Sequence, residues 1–173
     1  MDWYTIKNED NIDSPALLVY KDRVIDNIRK VLTMVRQPEQ LRPHVKTHKI
    51  REVCILMMNF GIKKFKAATI AEAEMLGMAG AEDVILAYQP IKTKFIRLLK
   101  LIRKYPGTNY SCLVDNFESA NLFSDLYSGF DEPKDVARLP VFIDLNVGMD
   151  RTGIDPAKAY DLFRDIQKLP GVE

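Results

Sequence analysis

Short apolar runs alternate with segments of helical periodicity along this chain, and that alternation constrains its fold more than any other feature. Parallel strands need crossover connections, so repeated strand–helix units with short loops predict a parallel α/β fold with right-handed crossovers. The alternation alone leaves open whether the sheet is an open doubly wound sheet or a closed barrel. We predict strands at residues 15–20, 41–46, 64–67, 83–87, 110–114 and 141–145.

Cap-forming residues and helix breakers mark the helices between these strands. Gln37-Pro38 ends the first helix, and Gly61 and Gly80 end the second and third. Residues 129–139 are predicted to form a polar loop before the last strand. The predicted helices begin at or just after Asp22, Thr47, Thr69, Ile91, Asn116 and Asp155.

The charge balance and the two cysteines exclude several classes of function. A net charge of +1 argues against bulk nucleic-acid binding and against an anionic membrane partner. Cys54 and Cys112 lie far apart in apolar runs, without the spacing of metal ligands, so we expect buried free thiols. The N-terminus lacks signal-peptide features and no apolar run has the length of a membrane span, so we expect a cytoplasmic protein.

The most distinctive basic cluster is the octapeptide at residues 42–49, Arg-Pro-His-Val-Lys-Thr-His-Lys. It places Lys46 at the end of a predicted strand, with His44 and His48 on either side. A lysine that acts as an amine nucleophile needs a lowered pKa, which nearby cations and partial desolvation provide. A solvated basic turn or a phosphate-contacting patch is the alternative interpretation. Pro43 and the break between strand and helix argue against a metal pair formed by the two histidines.

A second candidate site follows the last predicted strand. There Gly148 and Gly153 flank Arg151 in a loop, and Asp144 stands near the end of the strand. Ligands of parallel α/β folds bind at the carboxyl ends of the strands. Arginine can direct two donors at an anionic oxygen, and glycine lets the backbone approach a ligand closely. A plain strand-to-helix turn with a surface arginine is the alternative interpretation.

The octapeptide resembles the signature of the D-threonine aldolase and D-serine dehydratase group of pyridoxal 5'-phosphate (PLP) enzymes, which have the alanine-racemase-like barrel fold. The resemblance implies that Lys46 carries the cofactor as a Schiff base and that His44 lies in the cofactor site. Residues 67–74 and 83–90 are also similar to this group, and all the matches occur in the family's order along the chain.

The loop Gly-Met-Asp-Arg-Thr-Gly at residues 148–153 resembles the alanine-racemase loop whose arginine hydrogen-bonds the phenolic oxygen of the cofactor. The resemblance gives that cofactor-binding role to Arg151. Asp144 stands where alanine racemases themselves carry a carbamylated lysine, and we hypothesise that its carboxylate holds Arg151 as a cofactor-binding residue. This departure favours the aldolase and dehydratase branch over a plain alanine racemase.

The resemblance implies a TIM-type PLP-binding barrel, in which residues 41–46 are the first strand and the next four strands begin at Lys64, Asp83, Tyr110 and Val141. Such a barrel has eight strands. We therefore expect residues 1–173 to be the N-terminal domain of a longer protein, truncated after about five barrel strands. The remaining strands, a C-terminal β domain and the ligands of a divalent metal would lie beyond this segment, and we expect the segment alone to be inactive.

The function implied by the resemblance is a PLP-dependent lyase that acts on D-amino acids with a β-hydroxyl group. The leading expectation is the D-threonine aldolase reaction, a retro-aldol cleavage to glycine and an aldehyde. A D-serine dehydratase, an amino-acid racemase and a non-catalytic PLP-binding protein are alternatives, and so is an interaction module without a cofactor. The expected partners are a small-molecule substrate and, in the full-length form, a second copy of the chain.

Overall fold

A computed structural model of the chain describes residues 2–128 and 138–173. The strands in these ranges are β1 (Lys64–Ala67), β2 (Asp83–Leu86), β3 (Asn109–Val114) and β4 (Val141–Ile143). The helices are α1 (Lys21–Leu32), α2 (Arg51–Asn59), α3 (Ile70–Ala79), α4 (Lys92–Lys104), α5 (Phe117–Ser128) and α6 (Ala159–Ile166). The predicted polar loop at residues 129–139 lies outside the described ranges except for its last two residues.

The strands form one parallel sheet in the order β1-β2-β3-β4, with a helix in each crossover. The last residues of the chain continue the sheet beyond β4, because Val172 forms a parallel bridge to Leu139 and the Val141 N–H donates to the Glu173 carbonyl. Sequential order without reversal is the arrangement of a barrel wall rather than of a doubly wound sheet. The predicted parallel α/β fold of the TIM type is therefore confirmed.

The two faces of the sheet have different roles. One face packs under the helices through fully buried side chains such as Phe65 in β1 and Val84 in β2. Phe95 of α4 and Phe123 of α5 stack above it with ring centroids 4.3 Å apart. The other face is the inner face of the barrel wall, because side chains alternate along a strand. It carries Lys66, Ile85 and Ser111 in one row.

Predicted capping residues lie at the ends of α3, at the start of α5 and at the turn before α6. The Thr69 hydroxyl accepts a hydrogen bond from the Glu72 N–H and so caps α3, and the Glu72 carboxylate accepts from the Ala68 N–H just before the cap. Gly80 ends α3 in the left-handed conformation at φ +85°. Asn116 caps α5, and Asp155 caps the turn that leads into α6.

Cys54 and Cys112 are buried free thiols, as predicted.

Two predictions at the start of the chain are wrong. Residues 15–20 form no strand, and Leu17 is 78% exposed. No described backbone hydrogen bond joins residues 15–19 to the sheet. Asp22 lies in the first turn of α1 rather than at its cap, which is Tyr20. An apolar run forms a strand only where a neighbouring strand accepts its hydrogen bonds, and the described part of the chain offers none here.

The segment predicted as the first barrel strand takes its expected place but not its expected conformation. It lies beside β1, where His44 forms a parallel bridge to Lys66 and the Lys66 N–H donates to the Pro43 carbonyl. Residues Val45–Thr47 then form a 3-10 turn, so the ladder stops after one bridge. The next helix begins at Arg51 rather than at Thr47, because Lys49 in a left-handed conformation (φ +54°) interrupts the path.

Candidate active site

Lys46 lies at the carboxyl edge of the parallel sheet. His44 forms a parallel bridge to Lys66, and Lys46 lies two residues further along, on the turn beside the end of β1. The turn that carries Lys46 is held by its own backbone, with the Lys49 N–H donating to the Val45 carbonyl across 2.8 Å. Val45 is fully buried, whereas the Lys46 side chain is exposed. The buried valine anchors the turn and leaves the neighbouring amine exposed.

His44 caps this turn as a neutral acceptor. Its Nδ1 accepts a hydrogen bond from the Lys46 N–H across 3.3 Å. Burial lowers the pKa of His44 below the ordinary histidine value, and the positive charges of Lys46 and Lys66 lower it further. The ring is therefore unprotonated near neutral pH and leaves a nitrogen lone pair for the Lys46 amide.

His48 closes the other side of the turn. Its Nδ1 accepts a hydrogen bond from the Ile50 N–H across 3.0 Å, so the remaining proton of the neutral ring lies on Nε2. That Nε2 is buried and has no hydrogen-bond partner in the described part of the chain. Burial lowers the pKa of His48, whereas the charge of Glu72 acts in the opposite direction. The side chain also lines an apolar cleft of about 530 Å³ next to Leu17 and Trp3.

The basic residues that lie near Lys46 in the sequence do not all place positive charge near it in the structure. Arg42 lies at the other edge of the sheet, where its Nη2 donates to Oδ2 of Asp83 across 2.8 Å. Both histidines are neutral near pH 7 because burial lowers the pKa of each ring. The nearby cation that sequence reasoning missed is Lys66, which faces the inside of the barrel wall beside His44. Its signal was present in the alternation of β1, where Lys64 and Lys66 interrupt a buried pattern.

The loop that carries Arg151 is closed at its base. The Asn146 N–H donates to the Ile154 carbonyl, and the Ile154 N–H donates to the Asp144 carbonyl. Inside the loop, the Asn146 side chain accepts from the N–H groups of Gly148 and Asp150. Gly153 has φ +100°, and a Cβ there would lie 2.6 Å from the Asn146 nitrogen. These contacts preorganise a compact loop at the same edge of the sheet as Lys46.

Asp144 and Arg151 are both in this region, but they are not paired. Among the described residues Arg151 makes no ion pair or hydrogen bond, and its side chain is exposed. The Asp144 carboxylate instead accepts a hydrogen bond from Gln89 across 3.3 Å. The hypothesis that Asp144 holds Arg151 is therefore not realised in this structure. The guanidinium is left free for another anionic group.

A second aspartate, Asp115, completes the cluster. The Gln89 amide donates to Oδ2 of Asp115 across 2.8 Å, and the same oxygen accepts from the Gly153 N–H across 3.2 Å. Sequence reasoning missed Asp115 and Gln89. The signal for both was their position within two residues of the ends of predicted strands, where parallel folds place functional side chains.

Comparison with known proteins identifies the family. The family model described as "Alanine racemase, N-terminal domain" matches residues 19–173. The chain belongs to this family. The resemblance inferred from the octapeptide and from the Arg151 loop is confirmed at that level.

Relatives of this alanine-racemase-type domain include an aldolase and a dehydratase. The chain is 25% identical over 165 residues to a D-threonine aldolase from Arthrobacter sp, and this match covers 93% of the chain and 41% of that protein. It is 31% identical over 110 residues to D-threo-3-hydroxyaspartate dehydratase from Delftia sp. (strain HT23), covering 63% of the chain and 28% of the relative. The chain thus spans well under half the length of these relatives.

Solved structures agree on the fold. The D-threonine aldolase from Filomicrobium marinum superposes with a TM-score of 0.78 at 22% identity, over 94% of this chain and 42% of that one. The Delftia dehydratase superposes with a TM-score of 0.73 at 25% identity, over 90% of this chain and 39% of that one.

Two kinds of feature are absent from the described residues. No helix in residues 2–128 and 138–173 combines the length and the apolar character that crossing a membrane requires. Within the same ranges, no three side chains of His, Cys, Asp or Glu converge as a group that could hold a metal ion.

Proposed function

We propose that this chain carries the cofactor lysine of a PLP-dependent lyase that acts on D-amino acids with a β-hydroxyl group. The observation that carries the proposal is the shared edge of the sheet. The Lys46 turn lies beside the end of β1, and the Arg151 loop follows the end of β4. An exposed amine and a free guanidinium at one carboxyl edge are suited to a small anionic ligand.

The donor set fits PLP. The cofactor needs an amine for its aldehyde, and Lys46 offers an exposed amine on a turn anchored by buried Val45. It also carries anionic oxygens, for which Arg151 is an unpaired cation among the described residues. His44 is a neutral ring beside the amine. Lys46 would hold the group covalently, Arg151 would bind an anionic oxygen, and His44 would fix the orientation of the lysine turn.

When bound, PLP supplies an electron sink for the substrate α-carbon. The leading reaction is retro-aldol cleavage, in which the Cα–Cβ bond of a β-hydroxy amino acid breaks to give glycine and an aldehyde. The proton of the β-hydroxyl leaves as the carbonyl of the aldehyde forms, and a proton replaces the lost carbon at Cα. Lys46, once the substrate amine has taken its place, is the candidate to hold and return a proton at Nζ. The D-threonine aldolase from Arthrobacter sp supports this reaction.

Dehydration is the second candidate, because the Delftia relative is named as a D-threo-3-hydroxyaspartate dehydratase. In that reaction the α-proton and the β-hydroxyl leave as water, and hydrolysis then gives a keto acid and ammonia. A racemase or a non-catalytic PLP protein would show neither product.

We also keep the expectations of a divalent metal held outside the described residues and of a homodimer. Metal titration and light scattering on the longest obtainable form of the reading frame check these two expectations.

Borohydride trapping tests the assignment. PLP-treated protein, in the longest obtainable form of the reading frame, is reduced and its peptides are mapped by mass. We expect a pyridoxyl adduct on the peptide that contains Lys46 and none there in Lys46→Ala. Lys66→Ala is the matched control, because it removes the neighbouring lysine of β1 and should leave the adduct in place. An adduct on other lysines only would refute the proposal.

Assays with D-threonine and D-serine as substrates, with added metals, then distinguish the two reactions by whether glycine or a keto acid forms.

A further inference from the structure

Three consecutive strand ends are joined by one set of hydrogen bonds at the carboxyl edge of the sheet. Gln89 follows β2, Asp115 follows β3 and Asp144 follows β4. The Gln89 amide reaches both carboxylates, at 2.8 Å from Asp115 and 3.3 Å from Asp144. We call these three residues the Gln89 bracket. All of them are half-buried, so the contacts are partly shielded from water.

The bracket is attached to the Arg151 loop through its backbone. Oδ2 of Asp115 accepts from the Gly153 N–H across 3.2 Å, two residues after the arginine. Gly153 packs closely on the base of the loop, since a Cβ there would lie 2.7 Å from the carbonyl carbon of Leu145. The other carboxylate oxygen of Asp115 accepts from the Asn116 amide across 2.7 Å. Each oxygen is therefore committed, and the carboxylate is fixed at both ends.

The bracket also affects the charge at this edge. Two carboxylates approach one neutral amide, so the cluster keeps a net negative charge next to the loop of a cationic residue. Two carboxylates close together repel each other unless donors satisfy them. Gln89 supplies both amide hydrogens for that purpose, and Asp144 thereby stays away from an ion pair with Arg151. The guanidinium is left available because the carboxylates are occupied elsewhere.

We infer that Asp115 and Gln89 are positioning residues of the proposed cofactor site, which fix the Arg151 loop against the end of β3 and keep Asp144 from capturing the arginine. The inference rests on the proposed function, because it assigns these residues an effect on PLP binding that is transmitted through Arg151. Asp115 itself contacts the loop backbone and not the guanidinium. Its effect on the cofactor is therefore indirect and requires Arg151 to be present.

A double-mutant cycle tests this dependence in the longest obtainable form of the reading frame. The dissociation constant of PLP and the absorption spectrum of the bound cofactor are measured for wild type, Asp115→Ala, Arg151→Ala and the double variant. We expect Asp115→Ala to weaken PLP binding about tenfold, as for one lost charge-assisted hydrogen bond, and to shift the absorption band. We expect no further loss when it is added to Arg151→Ala. Additive losses would overturn the inference.

Hydrogen exchange gives a readout that needs no cofactor. In the apoprotein the Gly153 amide should exchange about tenfold faster in Asp115→Ala than in wild type, because its acceptor is gone. Asp115→Asn keeps an acceptor oxygen and should restore most of the protection, which also keeps the test usable where the alanine variant fails to fold. Unchanged exchange in Asp115→Ala would overturn the inference. Asp125→Ala removes an exposed aspartate of α5 and should change neither exchange at Gly153 nor PLP affinity.

The experiments distinguish a failure of the proposed function from a failure of the role assigned to the Gln89 bracket. A wild-type protein without a Lys46 adduct would refute the proposed function, and the cofactor role of the bracket would fall with it. A wild-type adduct together with additive losses in the cycle would refute the bracket alone. Gln89→Met keeps the side-chain length but removes both donors, and we expect it to reproduce the Asp115→Ala band shift. An unchanged band in Gln89→Met would overturn the part assigned to Gln89.

Discussion

The backbone N–H of Lys46 donates a hydrogen bond to Nδ1 of His44, the ring two residues before it. This contact makes the histidine a side-chain cap for the turn that presents the proposed cofactor lysine. It exists only while the ring is neutral, because a protonated ring has no lone pair to accept with. The lowered pKa of His44 keeps the ring neutral near neutral pH and so preserves this contact.

Removal of this acceptor should loosen the turn. We expect His44→Ala to lower the free energy of unfolding by about 1 kcal/mol, the usual cost of a lost cap. His44→Asn should lose much less, because its side-chain oxygen reaches the same amide. Urea unfolding at about pH 8, where the wild-type ring is neutral, measures both variants. Equal losses for the two substitutions would mean that the ring acts through packing and not as an acceptor.

His48 should make stability depend on pH. Burial lowers its pKa in the fold below the ordinary value of 6.5. The unfolded chain then takes up the proton first as the pH falls. The stabilisation is complete above the unfolded pKa and is lost as the pH falls through the folded one.

Urea unfolding at a series of pH values below 6.5 compares wild type with His48→Asn. The asparagine oxygen can still accept from the Ile50 N–H but does not titrate. We expect a shallower fall in stability for the variant in this range. Parallel pH curves for the two proteins would show that His48 contributes nothing to the pH dependence.

Structural features that depend on neighbouring residues could be predicted from the sequence, whereas features that depend on contacts between distant residues could not. The strands at Lys64–Ala67 and Asp83–Leu86 and the cap at Thr69 were predictable, because alternation and capping are local. The exposed run at residues 15–20 was not, because its apolar pattern matches a strand and only the lack of a neighbour decides against one. Lys49 at φ +54° ended the octapeptide turn early, and no residue type there signals that conformation.

The residues of the candidate site also fall into a predictable group and a group that was missed. The family resemblance pointed to Lys46 and Arg151 because motifs are contiguous in sequence. Asp115 and Gln89 were missed because their meeting depends on the register of three strands. The pair of Arg42 with Asp83 was also missed, since the two residues are 41 positions apart. The sequence had grouped Arg42 with Lys46, but in an extended segment its side chain reaches the opposite edge of the sheet.

The Arg42 pair should contribute more to stability than the exposed pairs. Its side chains are only 26% and 30% exposed, and the guanidinium contacts both oxygens of Asp83. We expect Arg42→Ala to cost about 1–3 kcal/mol, since a half-buried carboxylate loses a bidentate partner. Arg164→Ala breaks a pair exposed by 59% and 69% and should cost well under about 1 kcal/mol. Equal losses in urea unfolding would show that the Arg42 pair is no stronger than a surface pair.

Gly153 and Gly148 offer a matched comparison within the Arg151 loop. Both have positive φ, at +100° and +105°, so alanine at either position costs about 1–2 kcal/mol of backbone strain. Only at Gly153 does a new Cβ meet backbone, 2.6 Å from the Asn146 nitrogen and 2.7 Å from the Leu145 carbonyl carbon. At Gly148 no atom lies within 4 Å. Relief of the Gly153 contact must move the base of the loop, which adds about 1–3 kcal/mol of overpacking.

We therefore expect Gly153→Ala to destabilise the protein more than Gly148→Ala in urea unfolding. We also expect only Gly153→Ala to weaken PLP binding, because the shifted base carries the contact between Asp115 and the loop. Equal unfolding energies would mean that the loop yields at no cost. Equal PLP affinities, with unequal unfolding energies, would mean that the position of the loop base does not reach the cofactor through Arg151.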